Sequence, residues 1–145
     1  MSDEKNCEEF SVGLKVVRSH VFANEDLGYY RSLSQDTNPL YSDTKFVAHT
    51  VFLKPVVPAG MVTAMFDGLV GSRLPGLGAV LVFQEYNFYR PIYFLQEVEF
   101  SVELVELEIA KGVFHLDFRC EDQDGEMLVS GRAVVLKRLN LSGIN

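Results

Sequence analysis

The chain has little of what several protein classes require. Only two cysteines, Cys7 and Cys120, occur in 145 residues. They cannot build a framework of several disulfide bridges, and nothing else points to an oxidising compartment. Histidine is as scarce, with His20, His49 and His115 far apart. Together with two distant cysteines they lack metal-ligand spacing. Basic charge is also short, at 13 Lys and Arg against 20 Asp and Glu, a formal charge of −7. Nucleic-acid binding needs clustered cations, so that class is excluded. An anionic ligand remains compatible, because a local basic rim can coexist with a negative total.

The longest apolar stretches are cut by Lys54, Pro55 and Pro58, well short of a bilayer span. The opening residues, "MSDEKNCEEF", are acidic and polar, unlike a signal peptide. These features lead us to expect a cytoplasmic protein with no membrane association. No repeat, low-complexity tract or linker divides the chain, so one domain over 1–145 is expected.

What is present is ordinary globular composition, 48% hydrophobic and 23% charged, arranged in a definite order. Residues 12–22 alternate imperfectly and predict a strand. Asn24 stands where a helix N-cap should, with Glu25 and Asp26 following in the first turn. Leu27, Tyr30 and Leu33 carry the helical spacing as far as Ser34. The segment Asp36 to Pro39 ends that helix, since the residue before proline disfavours helical backbone. A second short helical piece is expected over Asp43 to His49.

Two prolines then bracket the rigid segment "KPVVPAGM". From Met61 to Arg73 apolar residues wrap most of a helix circumference, which predicts burial on more than one side. "RLPGLG" stops that helix. Strands are expected over 79–89, 97–109, 112–121 and 127–138, the last two joined by the hairpin connection "DQDGE". The order predicts an α+β fold, with an antiparallel sheet wrapped around one long central helix.

The stretches "LSQDTNPLYSDTKF" and "KPVVPAGMVTAMFDGLVGSRLPGLG" closely resemble the MaoC-like hydratases. These are hot-dog proteins that include the R-specific enoyl-CoA hydratases. The likeness extends to "VGLK" near the start and to the strand after "LPG". It implies a single hot-dog domain, a homodimer, and an acyl thioester of CoA or an acyl carrier protein as partner. It implies no cofactor and no metal.

In that family an aspartate and a histidine on the turn-rich segment hold a water against the substrate double bond. By this resemblance Asp36 is the base, and the thioester carbonyl meets the N–H of Gly60 at the central helix N-terminus. Unsatisfied donors there favour developing negative charge. The resemblance is incomplete. The family histidine falls on Tyr41, the histidine of its His-Gly pair on Ala59, and a small polar residue of the central helix on Met65. The Gly-Asp expected after the entry of the third core strand reads "LQE" at 95–97.

The phenol has an ordinary pKa of about 10, against about 6.5 for imidazole. It donates a hydrogen bond at neutral pH but is a poor base. The expected catalytic set is therefore Asp36, Tyr41 as donor, and Gly60, with Met61 and Met65 lining an acyl pocket. The bland readings stand beside these. Asp36 can serve an Asx turn, Tyr41 can be a packing residue, and both methionines can be core. His49 follows the segment closely enough to supply an imidazole; His20 and His115 read as structural. Asp67 reads as surface or as a partner contact. Lys54, Arg73 and Arg90 are candidate phosphate contacts. Two further readings remain open: a thioesterase working from the lone Asp36, and a catalytically silent acyl-CoA-binding or regulatory homologue.

Overall fold

A computed structural model describes residues 9–138. Cys7 and the acidic opening residues lie outside the described part. Five strands form one antiparallel sheet: β1 (Lys15–Val21), β2 (Ala79–Phe88), β3 (Glu97–Glu108), β4 (Val113–Asp122) and β5 (Met127–Lys137). Their order across the sheet is β1-β3-β4-β5-β2. Before β2 come three helices, α1 (Asp26–Ser34), α2 (Thr44–Val47) and α3 (Ala59–Ser72).

Side chains alternate between the two faces of the sheet in β4. Phe114, Leu116, Phe118 and Cys120 point inward and are buried, while Asp117 and Arg119 face solvent. The β4–β5 connection closes as a tight turn with Gly125 at φ 78°. Asp122 Oδ1 accepts the N–H groups of Asp124 and Glu126, both at 2.9 Å. A side chain at position 125 would hold that left-handed backbone at a cost.

Helix α3 packs on the inner face of the sheet through Met61, Val62, Phe66, Leu69 and Val70. Phe66 stacks on Phe118 with ring centroids 4.8 Å apart and meets the Phe100 edge at 5.1 Å. Burying each such side chain contributes about 1.5–3 kcal/mol. The expectation of burial on more than one side is corrected here. Ala64, Asp67, Gly68 and Gly71 are exposed, because one chain supplies sheet to only one side of α3. Asp67 is thus a surface residue of the single chain, and its carboxyl is raised by the burial it does have.

Helix α3 also begins at Ala59, two residues before the expected Met61. Pro58 occupies its N-cap position in extended backbone, and Pro55 and Pro58 stiffen the approach so that a helical turn starts at once. At α1 the expected Asn24 cap is replaced. Asp26, in the first turn, reaches back to accept the Ala23 N–H at 2.9 Å. Leu33, spaced for the buried side, is 88% exposed. The helix ends beside it at Ser34, and Leu27 alone of its residues is buried.

Candidate active site

The turn-rich segment is built by short-range capping. Gln35 leaves α1 in left-handed backbone (φ 59°), its N–H returning to Arg31 O at 2.8 Å. Asn38 Oδ1 accepts the Leu40 N–H at 3.1 Å and starts a single 3₁₀ turn over Pro39–Tyr41. Asp43 then caps α2, accepting the Lys45 and Phe46 N–H groups at 3.1 and 3.0 Å. Arg31 staples the segment to α1 through Asp36 O, Asn38 O and Ser42 Oγ, at 3.2, 3.0 and 3.0 Å. Its other tie is to the chain before α3, where Val56 N–H donates to Leu40 O at 3.1 Å.

This scaffold fixes a half-buried carboxylate. Asp36 Oδ1 accepts the Asn38 N–H at 3.1 Å, which is the Asx turn of the bland reading. Asp36 Oδ2 accepts two phenols, Tyr30 Oη and Tyr41 Oη, each at 2.9 Å. The structural and chemical readings of Asp36 thus divide between its two oxygens. The Asn38 N–H, then the two phenols and the nearby Arg31 cation, hold the Asp36 carboxyl below its usual range, against a smaller opposing effect of burial.

Tyr41 is half-buried, as its packing reading required, but its hydroxyl has a partner of consequence. Burial, followed by the Asp36 charge and hydrogen bond, pushes its phenol up to about 12. Tyr41 is a donor at every ordinary pH.

Gly60 lies against this cluster. A Cβ at position 60 would sit 2.8 Å from Tyr30 Cε2 and 3.5 Å from Tyr30 Oη. Position 60 is in the first turn of α3, and the Ala59 and Gly60 N–H groups donate to no acceptor among the described residues. The bent segment therefore presents its acid to the start of the central helix through Tyr30.

Tyr30 and Arg31 were missed as site residues. Tyr30 was read only as part of an apolar stripe, and Arg31 was not singled out. Their partners are reached only after the chain reverses at Gln35, a turn that no helical spacing announces.

Met61 and Met65 do not join the hydrogen-bonded cluster. Met61 is buried core, and Met65 is half-buried against it. His49 is exposed and has no hydrogen bond to Asp36, so it brings no imidazole to this carboxylate. His20 packs edge-on against Phe22, and His115 pairs with Glu108 at 3.1 Å. The three candidate cations are already engaged. Lys54 lies over the Tyr93 ring, Arg73 donates to Val17 O, and Arg90 pairs with Glu126 at 2.7 Å.

An open, largely apolar cleft of about 340 Å³ adjoins the start of α3, between Ala59, Val62, Phe52, Val57, Phe88 and Ile92. A slightly larger depression, about 400 Å³, lies on the outer sheet face among Lys15, Glu85, Arg119 and Arg132. Its lining is mostly polar, and neither lining includes Asp36, Tyr30, Tyr41 or Gly60; the apolar cleft adjoins the first turn of α3 through Ala59 and Val62. Among the described residues no cluster of His, Cys, Asp and Glu could hold a metal. No described helix is long and apolar enough to cross a membrane.

A five-stranded antiparallel sheet curled on one helix, with an acid presented to that helix's first turn, defines a hot-dog protein. The chain belongs to the MaoC-like family, whose MaoC like domain matches residues 9–117. It is 34% identical over 130 residues to the (R)-specific enoyl-CoA hydratase of Aeromonas caviae, covering 90% of this chain and 97% of that one. It is 27% identical to the mitochondrial 3-hydroxyacyl-[acyl-carrier-protein] dehydratase FERN of Solanum lycopersicum, over 86% of this chain and 76% of the relative.

The structure of the A. caviae (R)-hydratase superposes with a TM-score of 0.85, covering 90% of this chain and 99% of that one. An (R)-hydratase of Pseudomonas aeruginosa, 25% identical, superposes at 0.84 over 93% and 86%. These relatives place the chain in the (R)-hydratase and 3-hydroxyacyl dehydratase lineage of the family.

Proposed function

We propose that this protein is an (R)-specific enoyl-thioester hydratase, or dehydratase in reverse, formed by one hot-dog domain spanning the 145-residue chain. Hydration adds water across the Cα=Cβ bond of a 2-enoyl thioester to give the 3-hydroxyacyl thioester. In this reading Asp36 accepts a proton from the water whose oxygen bonds to Cβ, and returns that proton to Cα as the enolate collapses. The thioester carbonyl lies at the Gly60 N–H, where the free donors of the first turn stabilise the enolate-like charge. Tyr41 holds the carboxylate where the family histidine would stand. It donates a hydrogen bond and cannot share the proton transfer. The acyl chain takes the apolar cleft beside Ala59 and Val62, whose lining includes neither Met61 nor Met65.

The reading is supported by Tyr30, which donates to Asp36 and lies against Gly60 in the first turn of α3, in a chain 34% identical to an (R)-specific enoyl-CoA hydratase. A general acid–base group contributes about 10²- to 10⁴-fold, so loss of the imidazole gives a slower enzyme than its relatives. The relatives favour neither a lone-carboxylate thioesterase nor a silent binding protein.

The substrate is a CoA or acyl-carrier-protein thioester, the two kinds of carrier in the relatives' names. We also propose a cytoplasmic homodimer. Strand β2 is a sheet edge carrying Val80, Val82, Phe83 and Phe88, all exposed, and such an edge favours pairing. Sedimentation tests the dimer: a chain that stays monomeric at working concentration has no such pairing.

For the activity, crotonyl-CoA and crotonyl carrier protein are incubated with the enzyme, and the product is analysed on a chiral phase. The expected product is the (R)-3-hydroxybutyryl thioester. Release of free CoA without it makes the protein a thioesterase, and binding without turnover makes it a silent homologue.

A further inference from the structure

Two independent contacts converge on Tyr30. Its hydroxyl donates to Asp36 Oδ2 at 2.9 Å. Its ring edge covers Gly60 so closely that an added Cβ would fall 2.8 Å from Cε2. One side chain therefore spans the gap between the acid and the start of α3. Tyr30 and Tyr41 also stand edge to face, with centroids 6.2 Å apart, so each phenol limits the other's movement.

We propose that Tyr30 is a positioning residue of the active site, setting the spacing between Asp36 and the Gly60 N–H and fixing the direction of the carboxylate. The proposal rests on the hydratase reading for its catalytic meaning. The physical reason is the lone-pair count. A carboxylate oxygen accepts about two hydrogen bonds, so two phenols saturate Asp36 Oδ2 and fix its direction. Oδ1 keeps one free position beside the Asn38 N–H. Tyr41 alone would hold the carboxylate to its own segment. Only a donor from α1, anchored against α3, ties that segment to the helix where the carbonyl binds.

The charged and titratable groups facing Asp36 are few: Arg31 and Tyr30 from α1, and Tyr41 from its own segment. Gly60 adds none from α3. Removing the Tyr30 hydroxyl removes a donor that favours the ionised carboxylate, so the Asp36 pKa must rise.

The test compares Tyr30→Phe with wild type and with Tyr29→Phe, whose side chain is 79% exposed on the same helix. Crotonyl-CoA hydration is followed against pH, and the Asp36 carboxyl is titrated by ¹³C NMR. In Tyr30→Phe the acid limb of kcat/KM moves up, and kcat falls by roughly ten- to a hundredfold. Tyr29→Phe leaves both unchanged. Gly60→Ala moves the limb in the same direction, because its methyl displaces the Tyr30 ring, and it adds no further movement in the Tyr30→Phe background. A Tyr30→Phe limb coincident with wild type overturns the proposal. If wild type hydrates neither crotonyl-CoA nor crotonyl carrier protein, the hydratase reading fails and the titration alone decides Tyr30. A raised Asp36 pKa in Tyr30→Phe sustains its hold on the acid, and an unchanged one ends it.

Discussion

The Tyr41 hydroxyl donates to Asp36 Oδ2 across 2.9 Å, and the two residues lie five positions apart on one stiff segment. A phenol stands here beside the acid, and the chemistry of the pair changes accordingly. An imidazole can take and return a proton near neutrality, whereas this phenol keeps its proton up to about pH 12. The pair is one base and one fixed donor.

The pH dependence of hydration follows. With Tyr41 silent, kcat/KM shows an acid limb from Asp36 below the usual carboxylate range and stays level between pH 6 and 8. Tyr41→His introduces a limb near pH ~6.5 and raises kcat by about 10²-fold. A limb between pH 6 and 8 in the wild-type profile would mean that an imidazole outside this cluster does the work.

Stability should carry the mark of the same carboxylate. The folded Asp36 pKa is depressed, so its contribution is present above the unfolded value of about 4. It is lost as pH falls through the folded value. The melting-temperature gap between wild type and Asp36→Asn therefore narrows on acidification below about pH 4. A gap constant from pH 7 to 2 would show that Asp36 has the same pKa folded and unfolded.

A third prediction concerns the departure at "LQE". Leu95 takes φ 67°, between Tyr93 and Gln96, whose N–H returns to Tyr93 O at 3.3 Å. That is the third position of a turn that favours glycine, and the Leu95 side chain is 67% exposed, with little packing to lose. Left-handed backbone costs a non-glycine residue roughly 1–2 kcal/mol. Leu95→Gly should stabilise the fold by about 1 kcal/mol after the entropy of the freer unfolded chain is subtracted. Urea unfolding measures it, and a destabilised variant would contradict the argument.

Much of this architecture could be read from the chain before any coordinates. The runs 97–109 and 112–121 are rich in Val, Leu and Phe, residues that fit a half-buried pleated surface, and β3 and β4 lie within a residue of those bounds. The site was legible only in part. Asp36 and Tyr41 meet in a hydrogen bond, because a proline-stiffened segment with Asn38 and Asp43 as caps has few conformations, whereas Gly60 touches Tyr30 and not that pair. Tyr30 was hidden by its own chemistry. Its ring satisfied the apolar spacing of α1, while its hydroxyl partner lies six residues on, past a left-handed residue. Ala64 misleads in the other direction: a small residue fits a buried helix face and an exposed one equally well.

The most direct measurement is the initial rate of crotonyl-CoA hydration by wild type and by Asp36→Asn, at equal concentration and with both shown to be folded. Asp36→Asn keeps the shape of the side chain and removes its charge. The account predicts (R)-hydration by wild type and a fall of at least about 10²-fold in the variant. Equal rates would mean that the acid between the two tyrosines takes no part in the reaction.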